Sequence, residues 1–141
     1  MIMVRQGFHI GDHRDWYVMC YYNIQTVADI SEVEVALASA GCRPQAIKAA
    51  VDTLIEPDTG YTFTNYGERL TVIFIGRATS PEQMYDSMQH ELKHAVEHIG
   101  EYFGVEPKSE ESAYLQGEIA RQMFPAAAMV VCPVCKKQHK I

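Results

Sequence analysis

Tyr85-Asp86-Ser87-Met88-Gln89-His90-Glu91-Leu92-Lys93-His94-Ala95-Val96-Glu97-His98-Ile99 is the stretch from which the rest of the chain can be read. It carries H-E-x-x-H at His90, Glu91 and His94. On a helix, residues four apart lie one turn apart on the same face. Two imidazoles so placed can share one metal ion, at Zn–N distances of about 2.0–2.1 Å. Glu91 follows the first histidine and leans over that face, within reach of a metal-bound water as its general base.

The flanks of this stretch predict its helix. Ser80 caps the start, Pro81 suits the first position and Gln83 completes a capping box. Met84, Tyr85, Met88, Leu92, Ala95, Val96, Ile99 and Phe103 supply a buried side, and Gly104 ends the helix after residue 103. Upstream, Leu70-Thr71-Val72-Ile73-Phe74-Ile75 is the most strand-like run in the chain. It forms part of a strand at Arg69–Gly76, which pairs with Tyr61–Thr64 around the turn Asn65-Tyr66-Gly67-Glu68. Downstream, Val105-Glu106-Pro107-Lys108 is a short link. Ser109 then caps a second helix ending near Phe124. So short a link predicts that the two helices fold back on each other. That would carry Glu110 or Glu111 toward the histidine pair, and a catalytic zinc commonly has three protein ligands plus water.

With Glu110-Glu111-Ser112-Ala113-Tyr114 after His90-Glu91-Leu92-Lys93-His94, the run over residues 69–119 resembles the small zincin-like metallopeptidases encoded by phages and mobile elements. These are distant relatives of the ImmA/IrrE-type peptidases. The resemblance rests on motifs in about a third of the chain, and the first 60 residues add none. It implies a glutamate ligand in an E-x-x-A element on the following helix, which is Glu110 here, with Glu111 as the fallback. It also implies that Ala113 allows close approach of the two helices. Tyr114, one turn beyond Glu110, either supports the site or packs.

Other candidates surround the motif. His98 extends the histidine ladder, but a rise of about 1.5 Å per residue puts it about 12 Å along the axis from His90. One ion between His90 and His94 does not easily reach it, so His98 reads as a neighbour of the site, with metal contact as the alternative. Glu97 reads as an acid in solvent or behind His94. In the tail, Cys132, Cys135 and His139 form a second candidate metal site. They give three ligands where a structural zinc takes four, which leaves Cys20, Cys42 or a partner chain to complete the set.

The remaining sequence reads as scaffold. Residues 1–15 are mixed and polar and suggest a loose lead-in. Trp16–Ile24 alternates as a strand with two apolar faces. Ser31, with Glu34 completing a capping box, starts a helix over 31–40 that Gly41 stops. Pro44 opens a second helix with Ile47, Val51 and Leu54 inward. The chain has 141 residues and a net charge of −6, and 48% of its residues are hydrophobic. Such a chain suits one globular domain and argues against a broad nucleic-acid footprint. The sequence contains no run of 18 apolar residues, so no membrane helix is expected. The first residues lack the apolar stretch of a signal peptide.

These observations predict a small α+β zincin-like domain over residues 1–124 and a C-x-x-C tail over 125–141. A short mixed or antiparallel sheet packs against the H-E-x-x-H helix and the helix after it. The expected function is zinc-dependent hydrolysis of a peptide bond in a peptide or protein substrate, in the cytoplasm, or in that of the host cell if the chain is phage-encoded. One catalytic zinc is held by His90, His94 and Glu110, with Glu91 as base, and a second, structural zinc sits at the tail only if its set is completed. The strand at 69–76 is the candidate docking strand for substrate. The competing expectation is a non-catalytic, zinc-stabilised interaction protein of a phage or mobile element.

Overall fold

The computed structural model describes residues 2–11 and 15–139, with side chains as far as residue 130. A four-stranded mixed sheet is covered by helices on both faces. In chain order its elements are β1 (Val4–Ile10), β2 (Trp16–Ile24), α1 (Val27–Ser39), α2 (Pro44–Leu54), β3 (Gly60–Asn65), β4 (Leu70–Gly76), α3 (Pro81–Phe103) and α4 (Glu110–His139). The spatial order is β1-β2-β4-β3. β2 and β4 run parallel at the centre, and each outer strand is antiparallel to its neighbour.

Alternation along the strands divides the core in two. Trp16, Val18, Cys20 and Tyr22 of β2, with Ile73 and Ile75 of β4, face α3 and α4. Tyr21, Val72 and Phe74 point the other way, against Val33 and Leu37 of α1 and Ala50 and Leu54 of α2. Successive side chains of a strand take opposite faces, so one strand serves both layers.

Helix α3 has the predicted bounds. Ser80 Oγ accepts from the Gln83 N–H, Pro81 occupies the first turn, and Gly104 closes the helix in the left-handed conformation at φ 69°. Met84, Met88, Leu92, Ala95, Val96 and Ile99 are buried as expected, whereas Tyr85 is exposed. Met84 and Met88 already cover the sheet on that side of the helix.

Several expectations are corrected. Residues 4–10 are not a loose lead-in but an outer strand of the sheet. Phe8 and Ile10 enter the core while Arg5 and His9 stay outside, and Gly7 leaves room for the Tyr17 ring, which a side chain there would strike. Helix α1 begins at Val27 rather than near Ser31, because Thr26 and Asp29 already form a reciprocal capping box. Helix α4 does not end near Phe124 but runs to His139, through the boundary expected between domain and tail. Pro125 removes one backbone hydrogen bond of that helix. Beyond it Ala126, Ala127 and Val130 are buried in the core, and their packing carries the helix onward.

Candidate metal centre

His90 and His94 stand on the solvent side of α3, with side chains 68% and 47% exposed. Their Nε2 atoms are 3.3 Å apart. Two nitrogens bound to a tetrahedral zinc at about 2.0–2.1 Å are separated by about 3.3–3.4 Å, so the pair has the spacing that such an ion requires. The same distance suits two neutral rings, one N–H donating to the other's lone pair.

Glu91 is set apart from this exposed pair. Among the described residues it is the one buried charged residue, at 4% exposure. Its carboxylate has two distinct environments. Oε1 accepts a 2.8 Å hydrogen bond from the Thr62 hydroxyl, and Oε2 lies 4.0 Å from His90 Nε2. Gly60 makes the space, since a Cβ there would come within 2.6 Å of Glu91 Cγ and 2.9 Å of Oε2. Gly60, Thr62 and Thr64 are alternate residues of β3 and so share a face. That face meets α3.

Thr64 repeats the contact two turns along the helix. Its hydroxyl is 2.8 Å from His98 Nδ1 and 3.0 Å from the hydroxyl of Thr71, its direct partner on β4. Burial holds the His98 imidazole below its ordinary pKa, and the neighbouring His94 lowers it further. Behind the second histidine, Glu97 Oε1 is 4.0 Å from His94 Nδ1, while Lys93 Nζ is 3.4 Å from Glu97 Oε2.

No family model matches this chain, and no curated protein or solved structure matches it either. The reading of the site therefore rests on its geometry.

The glutamates expected from the next helix, Glu110 and Glu111, are exposed in the first turn of α4. Among the described residues, no three histidine, cysteine, aspartate or glutamate side chains group as a metal site. α3 continues for nine residues past His94 before the chain turns, which puts the C-terminal end of α3 about 14 Å along the axis from that histidine. α4 also packs against β1 and β2, whereas β3 lies at the far edge of the sheet. Ala113 is exposed and mediates no close approach; Leu115 and Ile119 are the residues buried on that side. Tyr114 is 75% exposed and is not packed into the core.

The side chains of Cys132, Cys135 and His139 lie outside the described residues. Of the two cysteines considered as completing ligands, Cys20 lies in the core beneath α3 and α4, and Cys42 in the core beneath α1 and α2. Burial pushes the Cys20 thiol up to about 12, which opposes the thiolate that a metal needs.

Sequence reading missed Gly60, Thr62, Thr64 and Thr71. A signal existed in the Gly-x-Thr-x-Thr alternation of residues 60–64, which marks one polar face of an otherwise apolar hairpin. Which helix that face meets is not written in it. The strand at 69–76 is also corrected as the docking strand. β4 is paired on both sides, by β2 and β3, so the edge beside α3 that no strand pairs among the described residues belongs to β3.

Proposed function

We propose that the protein is a zinc-dependent peptidase that binds its metal through His90 and His94 and uses Glu91 as general base. The observation that carries this reading is the 3.3 Å Nε2–Nε2 separation, with Glu91 Oε2 only 4.0 Å from His90 Nε2. Zinc would supply Lewis acidity there and make a bound water acidic near neutral pH. The Thr62 hydroxyl holds Oε1, which leaves Oε2 to take a proton from water at the pair and return it to the leaving amine. β3 offers a free backbone edge beside the site, along which an extended peptide can add as a further strand. The amide hydrogen bonds of such a strand hold any sequence, so this mode of docking favours unfolded polypeptide over a small substrate.

The exposure of the histidine pair supports an enzyme over a zinc-stabilised interaction protein. Structural zinc sites are closed by four protein ligands, commonly drawn from more than one element. Here both ligands come from one helix whose other side is already packed, so a metal between them would close nothing.

Elemental analysis of purified wild type, His94→Ala and the double variant Cys132→Ser/Cys135→Ser tests the metal. About one zinc per chain that disappears with His94 is the expected result. Zinc that survives His94→Ala and follows the cysteines would move the metal to the tail. Hydrolysis of denatured casein by wild type, abolished in a zinc-loaded Glu91→Gln protein, then separates enzyme from interaction protein.

A further inference from the structure

A chain of hydroxyls crosses the sheet and ends on the third histidine of the ladder. It begins at Trp16 on β2, whose Nε1 is 3.0 Å from Thr71 Oγ1 on β4. Thr71 Oγ1 is 3.0 Å from Thr64 Oγ1 on β3, and Thr64 Oγ1 is 2.8 Å from His98 Nδ1 on α3. Trp16 and Thr71 are fully buried.

The chain has a direction. An indole N–H only donates, so the Thr71 hydroxyl is the acceptor of the first bond. Between Thr71 and Thr64 the geometry allows either donor; donation from Thr71 is the sense that gives its buried hydrogen a partner. Thr64, having accepted from Thr71, gives its hydrogen to His98 Nδ1. A nitrogen that accepts carries no proton, so the proton of the neutral imidazole is on Nε2.

We propose that His98 is fixed by the Trp16–Thr71–Thr64 relay as an Nε2–H hydrogen-bond donor beside the histidine pair, and is not a metal ligand. Both nitrogens are then committed. Nδ1 is occupied by Thr64, and Nε2 bears a hydrogen where a metal would need a lone pair. The His98 ring centre is 6.3 Å from that of His94, so the donor stands one turn along α3 from the pair. Thr64 lies on β3, whose free edge is the proposed docking edge, so a peptide laid along that edge would pass this N–H. A carbonyl oxygen of such a chain is the acceptor that a single fixed N–H suits. The role toward substrate rests on the peptidase reading; the tautomer and the exclusion from the metal shell do not.

Imidazole nitrogen NMR on the metal-free protein, with His98 assigned from His98→Gln, reads the tautomer directly. The expected result is a dominant Nε2–H form, retained in Thr64→Ser and lost to a mixture of tautomers in Thr64→Val. An Nδ1–H form in wild type would overturn the proposal. Titration with zinc chloride should then move the His90 and His94 resonances and leave the His98 Nε2 proton in place; loss of that proton would make His98 a ligand and end the idea. With denatured casein, His98→Gln should lower kcat at least tenfold with KM little changed and zinc content intact. A kcat equal to that of wild type would remove the role toward substrate. A wild type that binds no zinc and cleaves no casein would instead sink the peptidase reading, with the tautomer still deciding the relay.

Discussion

The two flanks of α3 are built on opposite principles. Toward α4 the seam is apolar, with Leu92, Val96 and Ile99 in one cluster with Leu115, Ile119 and Met123. Toward β3 the seam is hydrogen-bonded, Glu91 to Thr62 and His98 to Thr64. An apolar seam stabilises in proportion to the area it removes from water and tolerates small shifts. A buried carboxylate or imidazole is held at a fixed distance by one partner and is costly when that partner is lost. The α4 flank holds α3 in place, and the β3 flank sets the atoms around the histidine pair.

The sharpest way to break this comparison is to remove the metal ligand. His94→Ala should abolish zinc binding and casein hydrolysis while the thermal unfolding of the metal-free protein stays near that of wild type, because about half of the side chain is already in solvent. A large loss of stability would mean that the pair supports the fold. Next comes the base: Glu91→Gln should retain zinc and lose about 10²- to 10⁴-fold in kcat. Full activity in that variant would assign the base elsewhere.

A matched pair of substitutions then compares the flanks themselves. Leu115→Ala, on the apolar side, should cost about 2–5 kcal/mol in denaturant unfolding and leave zinc content per folded chain unchanged. Gly60→Ala, on the polar side, pushes Glu91 away from Oε2's present place. A misplacement of about 1 Å can cost about 10²-fold in rate. That loss should appear in kcat with zinc retained; an unaffected rate would show that the clearance at Gly60 does not matter.

The smallest expected effect is with pH. The pKa of His98 is lowered in the folded protein, so in acid the unfolded chain takes up its proton first. The stability that this shift contributes is present above the ordinary histidine value of 6.5 and is lost as pH falls below it toward the folded value. Urea unfolding of metal-free protein should therefore show wild type losing more stability than His98→Gln as pH drops below 6.5. Equal losses would place the acid sensitivity in other groups.

Much of this was legible in residues alone, and the limits are physical. Ser80, Pro81 and Gly104 set the ends of α3 through bonds made within one turn, and His90 and His94 are juxtaposed by the helix period itself. β2 and the β3–β4 hairpin announced themselves by alternation and turn chemistry. β1 did not, because Gly7 and its polar neighbours read as loop until Tyr17 across the strand gives the glycine a purpose. Glu110 is a related case: its motif fixes spacing along the chain, while its position in space depends on how far α3 runs before the turn. The sequence by itself thus determined the helix, the histidine pair and the acid beside the first histidine, all products of interactions a few residues long. Only the tertiary structure decided which strand is the free edge and that Thr62 and Thr64 face Glu91 and His98. It also decided that α4 packs on the far side from the site. Those follow from strand order and sheet packing, where partners tens of residues apart compete for the same face and only the assembled core selects among them.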